Sequence, residues 1–98
     1  MFHLIVTIAP KTSDDVVPVF DALSRRRALC LSEPGCVHWE AYQSLDSPQE
    51  FVLVEHWESR THGEAHGHLP AIQDIHLPEV LPRVTRIARP SKPLGHAA

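Results

Sequence analysis

Two segments of this chain leave a β-sheet without a polar face. Phe2 to Ala9 (FHLIVTIA) and Phe51 to Trp57 (FVLVEHW) are short, rich in β-branched and aromatic residues, and carry apolar side chains at consecutive positions. Successive strand side chains point to opposite sides, so such runs read as strands covered on both faces. Neither reaches the ~20 apolar residues of a membrane span. Helices can cover one side of the sheet. The other side needs a second partner, and for 98 residues, enough for one domain, the economical choice is a second copy of the same chain.

Punctuation places the remaining elements. After Pro10, the stretch Lys11-Thr12-Ser13-Asp14-Asp15 offers N-caps and first-turn acids, and Pro18 is tolerated only in a first turn. A helix therefore starts near Asp14 or Asp15. Its apolar stripe is Val16, Val19, Phe20, Leu23, Cys30 and Leu31, interrupted by Arg27, and Pro34-Gly35 ends it. Arg25 to Arg27 reads as a solvated helix end. Val37 to Ser44 alternates as a second strand, with Trp39 on one face and His38 and Tyr42 on the other. The turn cluster Leu45 to Gln49 joins it to the third strand, Phe51 to Trp57. Residues 60–69 are weakly helical because of Gly63 and Gly67, Ala71 to Leu77 adds a turn or two before Pro78, and Arg83 to Arg89 is a final strand.

The order β-α-β-β-α-β is the ferredoxin-like split arrangement, an α+β fold with one antiparallel sheet and helices on one face. It occupies 1–90 and leaves 91–98 as a flexible tail. Lys plus Arg number 9 against 12 Asp plus Glu, and the one basic cluster is too small for nucleic acid. The N-terminus has neither a basic n-region nor a small-residue cleavage site, so no secretory signal is expected. Cys30 and Cys36 then read as reduced, half-buried thiols, and the cytoplasm is the expected compartment.

Eight histidines are present, five of them between His56 and His76, while asparagine is absent. Full protonation would carry the net charge from -3 to +5, so acid should alter the protein's behaviour. His62 and His66 are spaced i, i+4 on one helix face. The run His62-Gly63-Glu64-Ala65-His66 is nevertheless not the zincin pattern, and no third ligand is placed by the sequence, so no native metal site is expected.

Several motifs carry a family resemblance. Glu33-Pro34-Gly35-Cys36, then Trp39-Glu40, then Phe51-x-Leu53-x-Glu55-x-Trp57, then His66 and Pro70 together resemble the antibiotic biosynthesis monooxygenase family over residues 2–89. These are small dimeric α/β-barrel proteins that include cofactor-free quinone-forming oxygenases, haem degraders and an autoinducer isomerase. The resemblance implies a barrel of two sheets packed face to face. It also implies a pocket in each protomer between sheet and helices, lined by Leu53, Glu55, Trp57 and His66. Haem degraders in the family use a first-strand asparagine, and the best-known quinone-forming members use one near the tryptophan. Thr7 and Leu53 stand in those regions here, which speaks against haem degradation and weakens anthrone-type oxygenation.

Each candidate residue has two readings. Glu55 is a pocket carboxylate that polarises substrate or orients a histidine, or else a structural acceptor or ion-pair partner. Trp57 and Trp39 are planar walls for a flat substrate, or core. His66 is a general base, its ordinary pKa of about 6.5 suiting proton abstraction, or a histidine satisfying backbone. His62 is its neighbour in substrate binding. The leading expectation is a homodimeric, cofactor-free monooxygenase in which His66, with Trp57, acts on a small aromatic or enolisable quinol-like molecule and dioxygen. The alternatives are a small-molecule isomerase on the same fold and a non-catalytic dimeric ligand-binding or stress-related protein.

Overall fold

A computed structural model describes residues 1–95. The tail expected over 91–98 is therefore outside the described residues for its last three positions, 96–98. Four strands form one open antiparallel sheet: β1 (Phe2–Pro10), β2 (Cys36–Gln43), β3 (Phe51–Trp57) and β4 (Val84–Ser91), in the order β2-β3-β1-β4. Between β1 and β2 runs α1 (Val16–Leu31). The second crossover holds α2 (Arg60–Ala65), a 3-10 turn at His66–His68 and a π-helix, Ala71–Val80. Among the described residues, no helix is long and apolar enough to cross a membrane.

Register fixes which side chains meet. On the inner face, Trp39, Glu55 and Leu4 lie side by side across β2, β3 and β1, and Ala41, Leu53 and Val6 form the next row. Val6, Leu23, Leu53, Val19 and Val80 fill the space between this face and the helices, and burial of such side chains stabilises by roughly 1.5–3 kcal/mol each. The outer face carries His38, His56 and His3 in one row and Glu40, Val54, Ile5 and Arg89 in the next. Among the described residues no element packs over this outer face, where Tyr42 and Ile87 are about half exposed.

Three expectations need correction. The buried face of α1 is Val19, Ala22, Leu23, Arg26 and Cys30, whereas Phe20 and Leu31 are exposed. Arg26 at 2% exposure is therefore no solvated helix end. Only its neighbours are, Arg25 pairing with Glu79 and Arg27 with Glu40. Thr12, expected among the N-caps, makes no capping bond to the backbone and donates instead to Asp15 at 2.9 Å.

The third correction concerns Pro78, which does not stop the second crossover. The wide π turn runs through it to Val80, and the Leu81 N–H reaches the His76 carbonyl five residues back. That five-residue step aligns Ala71 with His76 and Ile75 with Val80, and all four are buried.

Candidate functional site

Burial alternates along β3. Phe51, Leu53, Glu55 and Trp57 point inward, and Glu55 is only 2% exposed. Its carboxylate accepts the Trp57 indole N–H at 3.1 Å. Burial pushes the Glu55 carboxyl above its ordinary range, and the indole bond and the Arg26 charge pull the other way. The Trp57 ring lies 4.9 Å from the His66 ring at 37°.

His66 is held by the helix that precedes it. The Ser59 hydroxyl caps α2 by accepting from the His62 backbone N–H at 3.2 Å, and it sits 2.8 Å from His62 Nδ1. One turn later, α2 tightens into the 3-10 turn that begins at His66 and directs its imidazole inward. Its Nδ1 lies 2.5 Å from Glu33 Oε1, in a pair whose side chains are less than a tenth exposed.

Glu33 is placed by the turn after α1. Its N–H bonds the Cys30 carbonyl, and its own carbonyl accepts from Cys36. Gly35 permits this turn twice over. Its φ of +77° is left-handed, and a Cβ there would lie 2.3 Å from the His62 ring.

Burial raises the Glu33 carboxyl to about 7, with Arg26 opposing and Glu55 adding to the rise. It lowers His66 to about 4, assisted by the Arg26 charge. At this separation the two values belong to the pair. Above about pH 7 a neutral imidazole donates from Nδ1 to the Glu33 carboxylate. The pair takes up its first proton near 7, which makes it a base suited to neutral solution. His66 Nε2 is buried and has no hydrogen-bond partner among the described residues.

The profile of the antibiotic biosynthesis monooxygenase domain matches residues 1–77. The chain belongs to the antibiotic biosynthesis monooxygenase family. Solved structures agree in fold. One from Nitrosomonas europaea, provisionally assigned as an antibiotic biosynthesis monooxygenase, is 20% identical with a TM-score of 0.83, covering 99% of this chain and 94% of that one. Another, with the same provisional assignment, from Deinococcus radiodurans is 17% identical with a TM-score of 0.75, over 100% and 99%. A Mycobacterium tuberculosis protein is 20% identical with a TM-score of 0.77, over the full length of both chains. A comparison with curated protein sequences finds no match.

In this member of the antibiotic biosynthesis monooxygenase family, the buried layer between the sheet and the helices gathers five of the six residues singled out in the sequence. Trp39, Leu53, Glu55, Trp57 and His66 are all buried on the sheet's inner side. His62 is not joined to them by a hydrogen bond. Its ring lies against Gly35, on the turn that carries Glu33. Glu33, not Glu55, meets the imidazole.

Two further groups were not anticipated as part of this buried cluster. The Arg26 guanidinium stacks 5.2 Å from the Trp39 ring centroid, and its Nη1 lies 3.3 Å from His76 Nδ1. Cys30, one turn along α1, brings its thiol within 4.8 Å of donor atoms of Glu33 and His66. Such a trio has metal-ligand chemistry. Burial, however, holds the thiol up at about 12, and the permanent charge of Arg26 beside it opposes a cation. A separate cleft of about 180 Å³ opens between α1 and β2, lined by Phe20, Leu23, Arg27, Tyr42 and Phe51, and it ends on Trp39.

The missed residues had signals of differing strength. Val19, Leu23, Arg26 and Cys30 stand at helical spacing, which marks Arg26 as inward despite its charged neighbours. Glu33 lay within a recognised turn to which no chemistry was attached. His76 faces inward only because of the π turn, and α-helical spacing does not reveal it.

Proposed function

We propose that the protein is a cofactor-independent monooxygenase acting on a small aromatic or enolisable molecule of quinol type, with the His66–Glu33 pair as its base. The observation that carries this reading is His66 itself. One ring nitrogen is tied to a buried carboxylate, while the other is free and buried beside the flat Trp57 wall.

Nε2 takes the acidic proton, and Glu33 stabilises the imidazolium that forms. The substrate carbanion transfers an electron to dioxygen and combines with the reduced oxygen through a new C–O bond. The resulting peroxide anion recovers the proton from His66. Loss of water from the hydroperoxide, with O–O cleavage and departure of the second C–H proton, leaves a carbonyl. One oxygen atom enters the product and the other leaves as water. The electrons come from the substrate, so the scheme needs neither metal nor flavin. Leu53, Trp39 and Trp57 would exclude water and keep the ring flat.

The unit that acts is proposed to be a homodimer, a barrel made by two copies of the open sheet. The uncovered outer face supports this, because Val52, Val54, Ile5, Tyr42 and Ile87 present apolar surface there.

The test is oxygen uptake with a panel of hydroxyquinols and anthrones. His66→Ala should lower turnover by about 10²–10⁴-fold, as loss of a general base does. Glu33→Gln should lower it less and shift the pH profile. Turnover independent of dioxygen would replace the oxygenase by an isomerase using the same base. Activity unchanged in His66→Ala removes His66 from the chemistry.

A further inference from the structure

Arg26 is a buried cation with nothing negative bonded to it. It sits mid-helix at 2% exposure, and among the described residues it forms no ion pair with a carboxylate. Its contacts are with neutral groups. They are the Trp39 face, the Nδ1 of an imidazole held unprotonated, and a Cys30 thiol that stays protonated. Its Nε has no hydrogen-bond partner among the described residues. The two carboxylates that interact with its charge through space are bonded elsewhere, Glu55 to the Trp57 indole and Glu33 to His66. Desolvating a guanidinium costs several kcal/mol unless an anion answers it, and the guanidinium does not escape by losing its proton.

Three more orphaned polar atoms share this neighbourhood: His66 Nε2, Glu33 Oε2 and Trp39 Nε1. Two donors, one acceptor and one base without partners among the described residues form a set that a ligand would complete. Cys30 relates the cation to the base, since its thiol lies one helical turn from Arg26 and within 4.8 Å of His66.

We propose that Arg26 is the anion seat of this buried cluster. It would receive the substrate oxygen that becomes negative when His66 removes a proton, with the Trp39 indole N–H as a second donor. The inference rests on the proton abstraction proposed above and narrows its substrates to phenols and enols whose conjugate base bears charge on oxygen. A hydrocarbon acid without such an oxygen would leave the guanidinium unanswered. The seat is built before the substrate arrives, so no reorientation is required as charge develops.

The experiment needs neither turnover nor oxygen. 4-Nitrophenol, whose phenolate is coloured, is titrated against the protein across the pH range in which the free probe ionises. A cation in direct contact should favour the bound phenolate about tenfold or more over its free ionisation equilibrium. Arg26→Met, close in shape and uncharged, should abolish the preference, and Arg26→Lys should keep part of it. His66→Ala should retain it, since the proton then leaves to solvent. Thermal unfolding of each variant establishes that it is folded.

Absence of a shifted ionisation in the wild-type protein overturns the proposal whatever the variants do. A folded Arg26→Met protein that still prefers the phenolate overturns it as well. A shift that depends on Arg26 in a protein with no oxygenase activity would leave the anion seat standing and remove the oxygenase reading.

Discussion

His76 should dominate the acid sensitivity of this fold. It is 5% exposed, and its Nδ1 accepts from the Arg26 guanidinium at 3.3 Å. Protonation would remove that acceptor and set two cations together in a desolvated space. Burial and then the charge of Arg26 lower its pKa from 6.5 to about 4. An imidazole whose folded pKa is depressed contributes stability above the unfolded pKa. That stability drains away as pH falls towards the folded value, and the full depression corresponds to about 3 kcal/mol.

His66 is depressed by a similar amount, yet it should contribute little. Its partner Glu33 is raised to about 7, so the folded pair holds one proton from about 7 down to about 4. The unfolded pair also holds one between 6.5 and 4.5, the ordinary values of the two groups. Equal proton counts give no pH dependence.

The measurement is urea unfolding at about pH 7.5 and about pH 4.5, followed by tryptophan fluorescence at fixed protomer concentration. His76→Gln keeps an acceptor for Arg26 but cannot titrate. It should lose about 2–3 kcal/mol less than the wild type between the two conditions. Equal losses in both proteins would refute the assignment, and so would a loss that disappears in His66→Gln instead.

Further outcomes follow from the same contacts. Glu33→Gln leaves His66 without its compensating partner, so unfolding free energy measured across the same acid range should fall more steeply than in the wild type. Gly35→Ala should cost at least about 1 kcal/mol for the left-handed backbone alone, and more because the His62 ring must move. Its thermal midpoint checks this. Glu55→Gln keeps the acceptor for the Trp57 indole and should leave the melting temperature unchanged or raised, whereas Glu55→Ala should lower stability by about 1–3 kcal/mol through the abandoned N–H. Val54→Glu places a carboxylate on the outer face beside Glu40 and Ile5. Sedimentation should then find monomer, against the dimer proposed for the wild type.

The fold was legible because its signals are local. Apolar strands of seven to nine residues, a proline confined to a first helical turn, and a glycine after α1 each restrict the backbone on their own. The inward residues of β3 followed from a period of two, and Trp39 followed in the same way from β2. What the sequence hid depends on contacts between distant segments. Glu33 becomes a partner of His66 only because the turn after α1 folds beneath the end of α2. Arg26 was obscured by its neighbours, since a run of three arginines looks solvated although helical geometry sends one of them inward. His76 depended on a five-residue turn that propensity does not announce.

That wide turn has a consequence for how this segment tolerates change. Substitutions along Ala71–Val80 alter what the helix displays, but rewinding the segment to the ordinary α pitch with its residue count unchanged, advancing about 100° per residue, would turn Ala71 and His76 about 140° apart. Ala71 and His76 would then part company. The imidazole would swing away from the guanidinium, and a different side chain would arrive in its place. The electrostatics of the buried layer are thus set partly by the pitch of this crossover, and a version wound as an ordinary α-helix would be a different protein inside while looking nearly the same outside.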